Sequence, residues 1–218
     1  MNARQEFDYI IVGAGSAGCV LAARLSQDPN VRVALVEAGG PDDAPEINMP
    51  IAFPQLFKTK YDWDFATEPE PALGKRRIYL PRGRTLGGSS AINAMIYIRG
   101  NAADFDGWAD EGAPGWSYRE MLPYFIRSEC NERGDPRYHG HSGPLAVQDS
   151  RSMHPLVDHL LEAGVRSGYR PNDDFNGASQ LGSGAFSSRS ATEFGVVPPP
   201  LISTLRANGR TCTFSRTP

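Results

Sequence analysis

Cysteine and histidine are scarce in this 218-residue chain, which contains three cysteines and four histidines. The cysteines, Cys19, Cys130 and Cys212, are far apart, which excludes a disulfide scaffold and a four-thiolate zinc site and favours a reducing cytoplasm as the location. With a formal net charge of −3, the chain has no general attraction to nucleic acid or anionic membranes. It has no apolar run near the roughly 20 residues of a membrane span, and residues 1–8 lack the apolar core of a secretory signal.

Glycine is plentiful, with 23 residues, and the first glycine cluster lies between two apolar segments. Residues 7–12 and 31–36 are short, almost continuous apolar runs, as in strands buried on both faces of a parallel sheet. Between them, Gly13, Gly15 and Gly18 form a Gly-x-Gly-x-x-Gly turn that opens a helix. This order of strand, turn, helix and strand predicts the βαβ unit of an α/β, Rossmann-like domain that binds a dinucleotide.

The residues of this turn have separate physical roles. Gly13 permits the sharp bend, Gly15 leaves space for a pyrophosphate beside the backbone, and Gly18 lets the helix lie close to the strand. The helix start at Ser16 and Ala17 offers N–H groups and the positive end of the helix dipole to the phosphates. The turn is therefore predicted to hold the pyrophosphate.

An acidic residue completes the motif. Glu37 follows Gly18 by 19 residues, where a carboxylate binds the ribose hydroxyls of a dinucleotide. The alternative is a glycine-rich turn in another kind of α/β protein, with Glu37 merely solvated. The pattern alone does not choose between NAD and FAD, although the turn that begins at Ala38 is common in flavoproteins.

A second glycine cluster begins at residue 83. Residues 87–90, Gly-Gly-Ser-Ser, form a loop of small residues whose N–H and hydroxyl groups can surround an anion. Asn93 adds an amide that can donate to a phosphate or a flavin ring atom, and Ala94 and Met95 can pass close to a flat ring. For an isolated Gly-Gly-Ser-Ser segment, a simple turn between two elements is the better interpretation.

The whole stretch from 76 to 106 resembles the first signature of the glucose–methanol–choline (GMC) oxidoreductases, and closely resembles their choline dehydrogenase-like branch. Other segments agree in order, among them residues 7–18, 37–40, 61–63 and 139–145. The resemblance covers residues 6–186. It is specific because two independent motifs occur at the right separation.

The resemblance implies that the chain binds FAD and oxidises a small-molecule alcohol to a carbonyl by hydride transfer to the flavin. It does not identify the electron acceptor that reoxidises the flavin. FAD is expected to be non-covalent, because Ile92 stands where some relatives attach the flavin through a histidine. No metal site and no catalytic residue is implied. The cofactor-binding residues implied are Gly13, Gly15, Ser16, Ala17, Gly18, Glu37, Ala38, Trp63, Arg84, Gly87, Gly88, Ser89, Asn93, Ala94 and Met95.

The same resemblance predicts the domain organisation. Residues 1–150 are expected to form the FAD-binding domain, with a lid over about 45–73, and residues 151–186 the beginning of an α+β substrate-binding domain. None of the four histidines matches the family's catalytic histidine, which lies near the C-terminus of a chain more than twice this length. We therefore expect a truncated form without turnover. The alternative is a non-catalytic FAD- or nucleotide-binding fragment, or the product of a pseudogene.

Residues 187–218 depart from the family pattern. Three consecutive prolines at 198–200 and many Ser, Thr and Arg residues are typical of a disordered linker. A second hypothesis is a one-base frameshift beginning near 186–190, because codons read in the shifted frame permit a string that resembles the family's next segment. Resequencing the coding DNA tests this hypothesis.

Overall fold

The structure is a computed structural model that describes residues 6–189 and, as backbone only, 202–207 and 210–215. The chain divides into two compact units, Met1–Ala94 with Phe194–Pro218, and Met95–Glu193. The sequence analysis divides the chain by function, with an FAD-binding domain that ends at residue 150 and a substrate-binding domain that follows it. This functional division stays a prediction, because the compact units are defined by packing alone.

The first unit begins with a strand, a helix and a second strand. These are β1 (Tyr9–Val12), α1 (Ser16–Leu25) and β2 (Val33–Glu37). The two strands pair in parallel, with Tyr9 beside Val33 and Val12 beside Val36. A helix is the usual connection between parallel strands, because the chain must return to the end of the sheet where it started. The predicted order of elements is present in the structure.

The core of this unit lies between β1, α1 and β2. Its buried residues are Ile11, Ala14, Cys19, Ala22, Val33 and Leu35. β2 is buried along most of its length, whereas β1 exposes Ile10 and Val12, which are 67% and 83% exposed. The prediction that both strands are buried on both faces is therefore wrong for β1. Within the described residues β1 is an edge strand, so its outward side chains have no neighbouring strand to cover them.

Two further strands of the same sheet come from the end of the chain. β8 (Ile202–Ala207) pairs with β9 (Arg210–Ser215), and β9 pairs with β2, both antiparallel. The sheet order is β1-β2-β9-β8, so the sheet is mixed and only the β1–β2 pair matches the predicted parallel arrangement. The predicted disorder of the tail is not confirmed, because its backbone forms these two strands. For the rest of 190–218 this prediction lies outside the described residues.

The remainder of the first unit consists of short elements. A small antiparallel sheet joins β3 (Phe65–Ala66) to β4 (Tyr79–Leu80). Short 3-10 helices occupy Pro45–Asn48, Pro50–Leu56, Pro71–Leu73 and Gly88–Ala91. A second buried cluster joins the first two of these helices to the last, through Ala44, Ile47, Leu56, Ala91 and Ile92.

The second unit is α+β. Its elements are α2 (Ala102–Asp110), α3 (Tyr118–Ser128), β5 (Glu129–Asn131), β6 (Leu145–Gln148), α4 (Leu156–Arg166) and β7 (Ser188–Arg189). β5 and β6 pair in parallel, and β7 is antiparallel to β6. Capping boxes at Asn101 and Ser117 start α2 and α3, because each cap side chain and its partner three residues later satisfy free N–H groups. Among the described residues, the helices are too short or too polar to cross a bilayer.

Candidate cofactor site

The helix α1 starts without a side-chain cap. Its N-cap is Gly15, and its first turn, which includes Ser16, Ala17 and Gly18, carries no acidic residue. Ser16 and Ala17 are exposed. The free N–H groups at such a helix start carry a partial positive charge and are suited to an anion such as a phosphate.

Gly18 has no space for a side chain. A Cβ atom there would lie 1.9 Å from the carbonyl oxygen of Gly13, which itself has a φ of +96°. The Gly13 N–H donates to the Val36 carbonyl at 2.7 Å, and this bond ties the turn to β2. Helix and strand can therefore lie this close only with glycine at position 18.

The two glycine clusters meet at Gly15 and Gly88. A Cβ on Gly88 would lie 2.8 Å from the Cα of Gly15, and a Cβ on Gly15 would lie 3.9 Å from the Cα of Gly88. The Gly87 N–H donates to the Ala14 carbonyl at 2.8 Å, and the hydroxyls of Ser16 and Ser90 are hydrogen-bonded. The structure thus brings together two loops that the sequence separates by about seventy residues.

The Gly-Gly-Ser-Ser loop is folded on itself and on the turn after β2. Ser89 is exposed, and its hydroxyl accepts the N–H of Gly83 at 3.1 Å. Thr85 is completely buried, and its hydroxyl donates to the Gly40 carbonyl at 3.1 Å. A Cβ on Gly39 would lie 2.2 Å from the Arg84 carbonyl group. The sequence interpretation missed Thr85 and Gly39 because their partners are distant in the chain.

The carboxylate of Glu37 has partners of its own within the turn. One oxygen accepts the N–H of Ala14 at 2.7 Å, and the other accepts the N–H of Gly39 at 2.8 Å. Glu37 is buried, and Ala38 beside it is exposed. Because a carboxylate oxygen can accept more than one hydrogen bond, these contacts leave acceptor capacity for a ribose hydroxyl. Glu37 also fixes the loop that would surround the pyrophosphate, a role that its sequence position did not indicate.

Arg84 and Trp63 are in contact. The Arg84 guanidinium lies 4.9 Å from the centre of the Trp63 ring, and Trp63 stacks on Phe65 at 5.6 Å. The Arg84 N–H donates to the Tyr61 carbonyl at 2.7 Å, which joins the predicted lid to the second glycine cluster. This stack of a cation and two rings is exposed and offers a flat surface to a ring or a charge to an anion.

Asp62 anchors the chain next to Trp63. Its buried carboxylate accepts the N–H groups of Lys58, Asp64 and Arg82 at 2.9, 3.1 and 3.0 Å, and the Tyr79 hydroxyl. Burial raises the pKa of Asp62, but the Tyr79 hydroxyl and these N–H groups outweigh burial and leave it lowered. Burial, with the Asp62 hydrogen bond and charge, raises the pKa of Tyr79 to about 12. Asp62 therefore stays ionised and fixes the turn that carries Trp63.

The end of the second glycine cluster combines exposed and strained residues. Asn93 and Ala94 are exposed, and Ile92 is buried. Met95 has a φ of +60°, a left-handed conformation that is uncommon outside glycine, and its carbonyl accepts the N–H of Arg189 at 3.1 Å. Such strain is concentrated at functional sites in proteins.

None of the four histidines belongs to the unit that contains the glycine loops. All four lie in Met95–Glu193. Both ring nitrogens of His139 lie against carboxylates, and the Nδ1 of His141 lies 2.7 Å from the Asn131 carbonyl oxygen. His154 accepts the N–H of Leu156 at 3.2 Å, and His159 is exposed. These local contacts assign no histidine to catalysis.

A sequence model of the GMC oxidoreductases matches residues 7–216, so the chain belongs to this family, which confirms the predicted family. The match extends past residue 186, where the predicted resemblance ends. The Oxygen-dependent choline dehydrogenase of Escherichia coli (strain K12) is 51% identical over 185 residues, which cover 82% of this chain and 33% of that protein. The chain thus spans about a third of the length of the curated relatives it matches.

Solved structures support the same conclusion. Pyridoxine 4-oxidase from Mesorbium loti superposes with a TM-score of 0.82 at 37% identity, over 89% of this chain and 40% of that chain. An FAD-dependent oxidoreductase from Chaetomium thermophilum superposes with a TM-score of 0.74 at 34% identity, over 85% of this chain and 33% of that chain. The chain is therefore choline dehydrogenase-like in sequence and has the mixed α/β fold of FAD-dependent oxidoreductases.

FAD is the cofactor that membership of this family implies, in agreement with the prediction. The residues present fit this cofactor. The start of α1 has no side-chain cap and faces the second glycine loop. This loop comes so close that a Cβ atom at Gly88 would have no space. The space next to Gly15 is open apart from that loop, as a pyrophosphate would require.

Proposed function

We propose that this chain binds FAD non-covalently and serves the oxidation of a small-molecule alcohol to a carbonyl. The observation that carries the proposal is the approach of the uncapped start of α1 to the second glycine loop at Gly15 and Gly88. When bound, the flavin of FAD supplies the acceptor for the hydride that leaves the alcohol carbon. The name of the choline dehydrogenase relatives supports an alcohol as substrate.

The pyrophosphate is the part of FAD that the glycine loops would hold. The first-turn N–H groups of α1, at Ser16, Ala17 and Gly18, would donate to its oxygens. Gly87, Gly88 and Ser89 would close the other side. The N–H groups of Gly87 and Gly88 already donate to the carbonyls of Ala14 and Thr85, so these two glycines would contribute a close approach of the backbone rather than donors. In this proposal β1, α1 and β2 work as a Rossmann-like unit.

The other predicted residues would orient the two ends of FAD. Glu37 would accept a ribose hydroxyl next to the exposed Ala38. Asn93, Ala94 and Met95 would line the flavin. We propose Trp63, with Arg84 over its ring, as part of a lid over about 45–73.

Non-covalent binding follows from the side chain that precedes Asn93. Ile92 is buried and packs with Ala91, Leu56 and Ile47. An aliphatic side chain has no nucleophile with which to bond the flavin. The cofactor would therefore be held by non-covalent contacts alone.

A second candidate function is FAD binding without turnover. The placement of the histidines favours it, because alcohol oxidation needs a base for the hydroxyl proton. His139 has both ring nitrogens against carboxylates, and the Nδ1 of His141 lies against the Asn131 carbonyl oxygen. In this case the chain would bind FAD through the same loops and reduce no acceptor.

Gly15→Ala is the variant that tests the cofactor site. The backbone of Gly15 is extended, and an added Cβ would meet nothing closer than 3.9 Å, so the protein without FAD should fold normally. The same methyl group would stand in the space reserved for the pyrophosphate. We expect FAD affinity, measured by flavin fluorescence and absorbance, to fall at least tenfold, which corresponds to about 1.4 kcal/mol, while the melting temperature of the FAD-free protein stays unchanged.

Gly107→Ala is the matched control, because Gly107 lies in α2 and a Cβ there would contact nothing within 4 Å. Equal FAD affinity of both variants and the native chain would contradict the proposed site. Choline with an artificial electron acceptor then separates the two candidates: reduction of the acceptor supports oxidation, and FAD binding without reduction supports the second candidate.

A further inference from the structure

A buried cluster of charged side chains lies in the second unit. His139 is 3% exposed, and Glu129 is fully buried. The Nδ1 of His139 lies 3.0 Å from Oε1 of Glu129, and its Nε2 lies 2.9 Å from Oδ2 of Asp174. The other oxygen of Glu129 accepts a hydrogen bond from Arg99 at 2.6 Å. The sequence analysis included His139 only in the segment 139–145 that agrees with the family.

While Glu129 and Asp174 are ionised, the two carboxylate contacts of His139 are both hydrogen bonds only if both ring nitrogens carry a proton. A neutral imidazole has one N–H group, so its other nitrogen would turn a lone pair toward a carboxylate oxygen. The side-chain amide of Asn131 lies 3.1 Å from Nδ1, and its NH2 group also donates to Oε1 of Glu129 at 2.7 Å, so Asn131 and Nδ1 face the same carboxylate oxygen. The arrangement is therefore that of an imidazolium between two carboxylates.

Charge balance leads to the same protonation state. Glu129 and Asp174 carry two negative charges, and Arg99 supplies one positive charge. A protonated His139 makes these four groups neutral in sum, whereas a neutral His139 leaves two carboxylates with only Arg99 in direct contact. Because Glu129 is fully buried, charge left uncompensated there is strongly destabilising.

We propose that His139 is a pH-operated clamp: while protonated it holds the loop around Asp174 and Asn176 against the segment Tyr97–Arg99, and on losing its proton it releases that loop. Asn176 makes the connection. Its N–H donates to Asp174, its side-chain oxygen accepts the N–H of Arg99 at 2.7 Å, and its amide nitrogen donates to the Tyr97 carbonyl at 3.1 Å.

The contact with Asp174 is the one that should fail. Without the charge on His139, Glu129 still accepts hydrogen bonds from Arg99, Asn131 and the N–H of Gly140. The Asp174 side chain is 25% exposed and can turn toward water. The loop therefore opens on the Asp174 side, and the amides of Arg99 and Asn176 lose protection.

The direction of the pKa shifts agrees with this device. The hydrogen bond to Glu129 raises the pKa of His139, burial opposes this, and Asp174 raises it further. Burial raises the pKa of Glu129, but its hydrogen bonds with His139 and Asn131 and the charge of Arg99 leave it lowered. Both groups are thus ionised together.

The other charged groups near the cluster keep one state in the relevant range. Asp135, on the same turn as His139, has its pKa lowered to about 2 by Arg137. Arg133 and Arg137 have raised pKa values because of Asp149 and Asp135, respectively. Burial raises the pKa of Tyr97. Asp135, Arg133, Arg137 and Tyr97 do not change charge between pH 5.5 and about pH 8.5, given ordinary values of about 4, 10 and 12.5 for Asp, Tyr and Arg. Two other titratable side chains adjoin the cluster, His141 and Cys130, and they contact the main-chain carbonyls of Asn131 and His141.

The sign of the pH effect follows from the raised pKa. His139 stabilises the folded state fully at pH values below about 6.5, the ordinary pKa of histidine. Its contribution is lost as the pH rises through the higher pKa of the folded state. The clamp is therefore closed near pH 5.5 and opens on the alkaline side.

Two measurements on the full chain test this without FAD. Proton NMR of the four histidine rings should show one ring that titrates above the ordinary value, and its signal should be absent in His139→Gln. Protection factors for the amides of Arg99 and Asn176, corrected for intrinsic exchange, should fall several-fold between pH 5.5 and 8.5. A His139 ring that titrates at or below the ordinary value, or protection that does not change, would overturn the clamp.

Asp174→Asn keeps the test possible if His139→Gln does not fold, because Asp174 is partly exposed. It removes one carboxylate and should lower the pKa of His139 and reduce the pH dependence of protection. His159→Gln is the control, since His159 is exposed on α4 and should leave both readouts unchanged. Native behaviour of Asp174→Asn would contradict the role of Asp174. Failure to bind FAD would leave the clamp unaffected.

Discussion

The glycine loops of the first unit and the charged cluster of the second fix their backbones in opposite ways. At Gly15, Gly18 and Gly88 the chain comes close to itself because side chains are missing, and the space that remains is lined by N–H groups. At His139 and Glu129 the chain is held by side chains that fill the interior and balance one another's charge. The first arrangement leaves space for a ligand, and the second leaves none.

This difference teaches where each unit tolerates change. A methyl group is harmful in the glycine loops where it meets backbone, as at Gly18, or where φ is positive, as at Gly13, so neighbouring glycines differ sharply in their tolerance. In the charged cluster, shape matters less than charge, because the groups around Glu129 are all donors or cations. Glu129→Gln and Gly18→Ala compare these two kinds of sensitivity.

The largest effect is expected for Glu129→Gln. The variant keeps the size of the side chain but leaves Arg99 and His139 without their main counterion, and its NH2 group would face donors. Removing one partner of a buried ion pair costs about 3–5 kcal/mol. We expect a loss of this size in the free energy of unfolding, measured by urea denaturation.

The control for Glu129→Gln is Glu162→Gln on α4. Its partner Arg166 lies 3.4 Å away, and both side chains are mostly exposed. An exposed pair of this kind contributes only about 0.3–0.5 kcal/mol. Equal losses in the two variants would mean that the charged cluster does not stabilise the second unit.

The next effect concerns Gly18→Ala. The new methyl group would lie 1.9 Å from the Gly13 carbonyl oxygen, so helix and strand must move apart. Overpacking of this kind costs about 1–3 kcal/mol, and we expect the upper end, because the obstacle is backbone. Thermal unfolding should separate this variant from Gly15→Ala, which is expected to remain as stable as the native chain. A stable Gly18→Ala protein would show that α1 does not lie so close to β1.

The sequence allowed the first unit to be predicted much better than the second. The strand, turn and helix around Gly13, Gly15 and Gly18 follow from local rules, because a glycine pattern has a direct meaning for the backbone. The family resemblance added FAD, and the comparisons agree. The exposed face of β1 and the mixed sheet were not predictable, because they depend on which strand becomes a neighbour.

The charged cluster was beyond sequence reasoning for a related reason. Arg99, Glu129, His139 and Asp174 are separated by 10 to 35 residues between successive members, and no periodicity links them. Each one alone is typical of a solvated surface. Their burial depends on how three loops and β5 pack together, which only the structure reveals.

The smallest effect is expected for Tyr79→Phe, which tests the anchor under the predicted lid. The Asp62 carboxylate loses the hydroxyl of Tyr79 but keeps the N–H groups of Lys58, Asp64 and Arg82. The pKa of Asp62 should therefore rise toward its ordinary value. A carboxyl pKa that is lowered on folding stabilises the folded state at pH values above the ordinary carboxyl pKa, and acidification removes this stabilisation. The variant should therefore melt at a lower temperature than the native chain at pH 7, and the two melting temperatures should differ less near pH 2.

Tyr61→Phe is the matched control for Tyr79→Phe. Its hydroxyl donates to Asp43 at 3.2 Å in an exposed contact, so its loss should leave the melting temperature unchanged. FAD affinity extends the comparison. If Asp62 holds Trp63 in place through Tyr79, the loss of the hydroxyl should weaken FAD binding slightly, and Tyr61→Phe should not. A Tyr79→Phe protein with native melting temperature and native FAD affinity would show that the N–H groups alone hold Asp62 and the turn that carries Trp63.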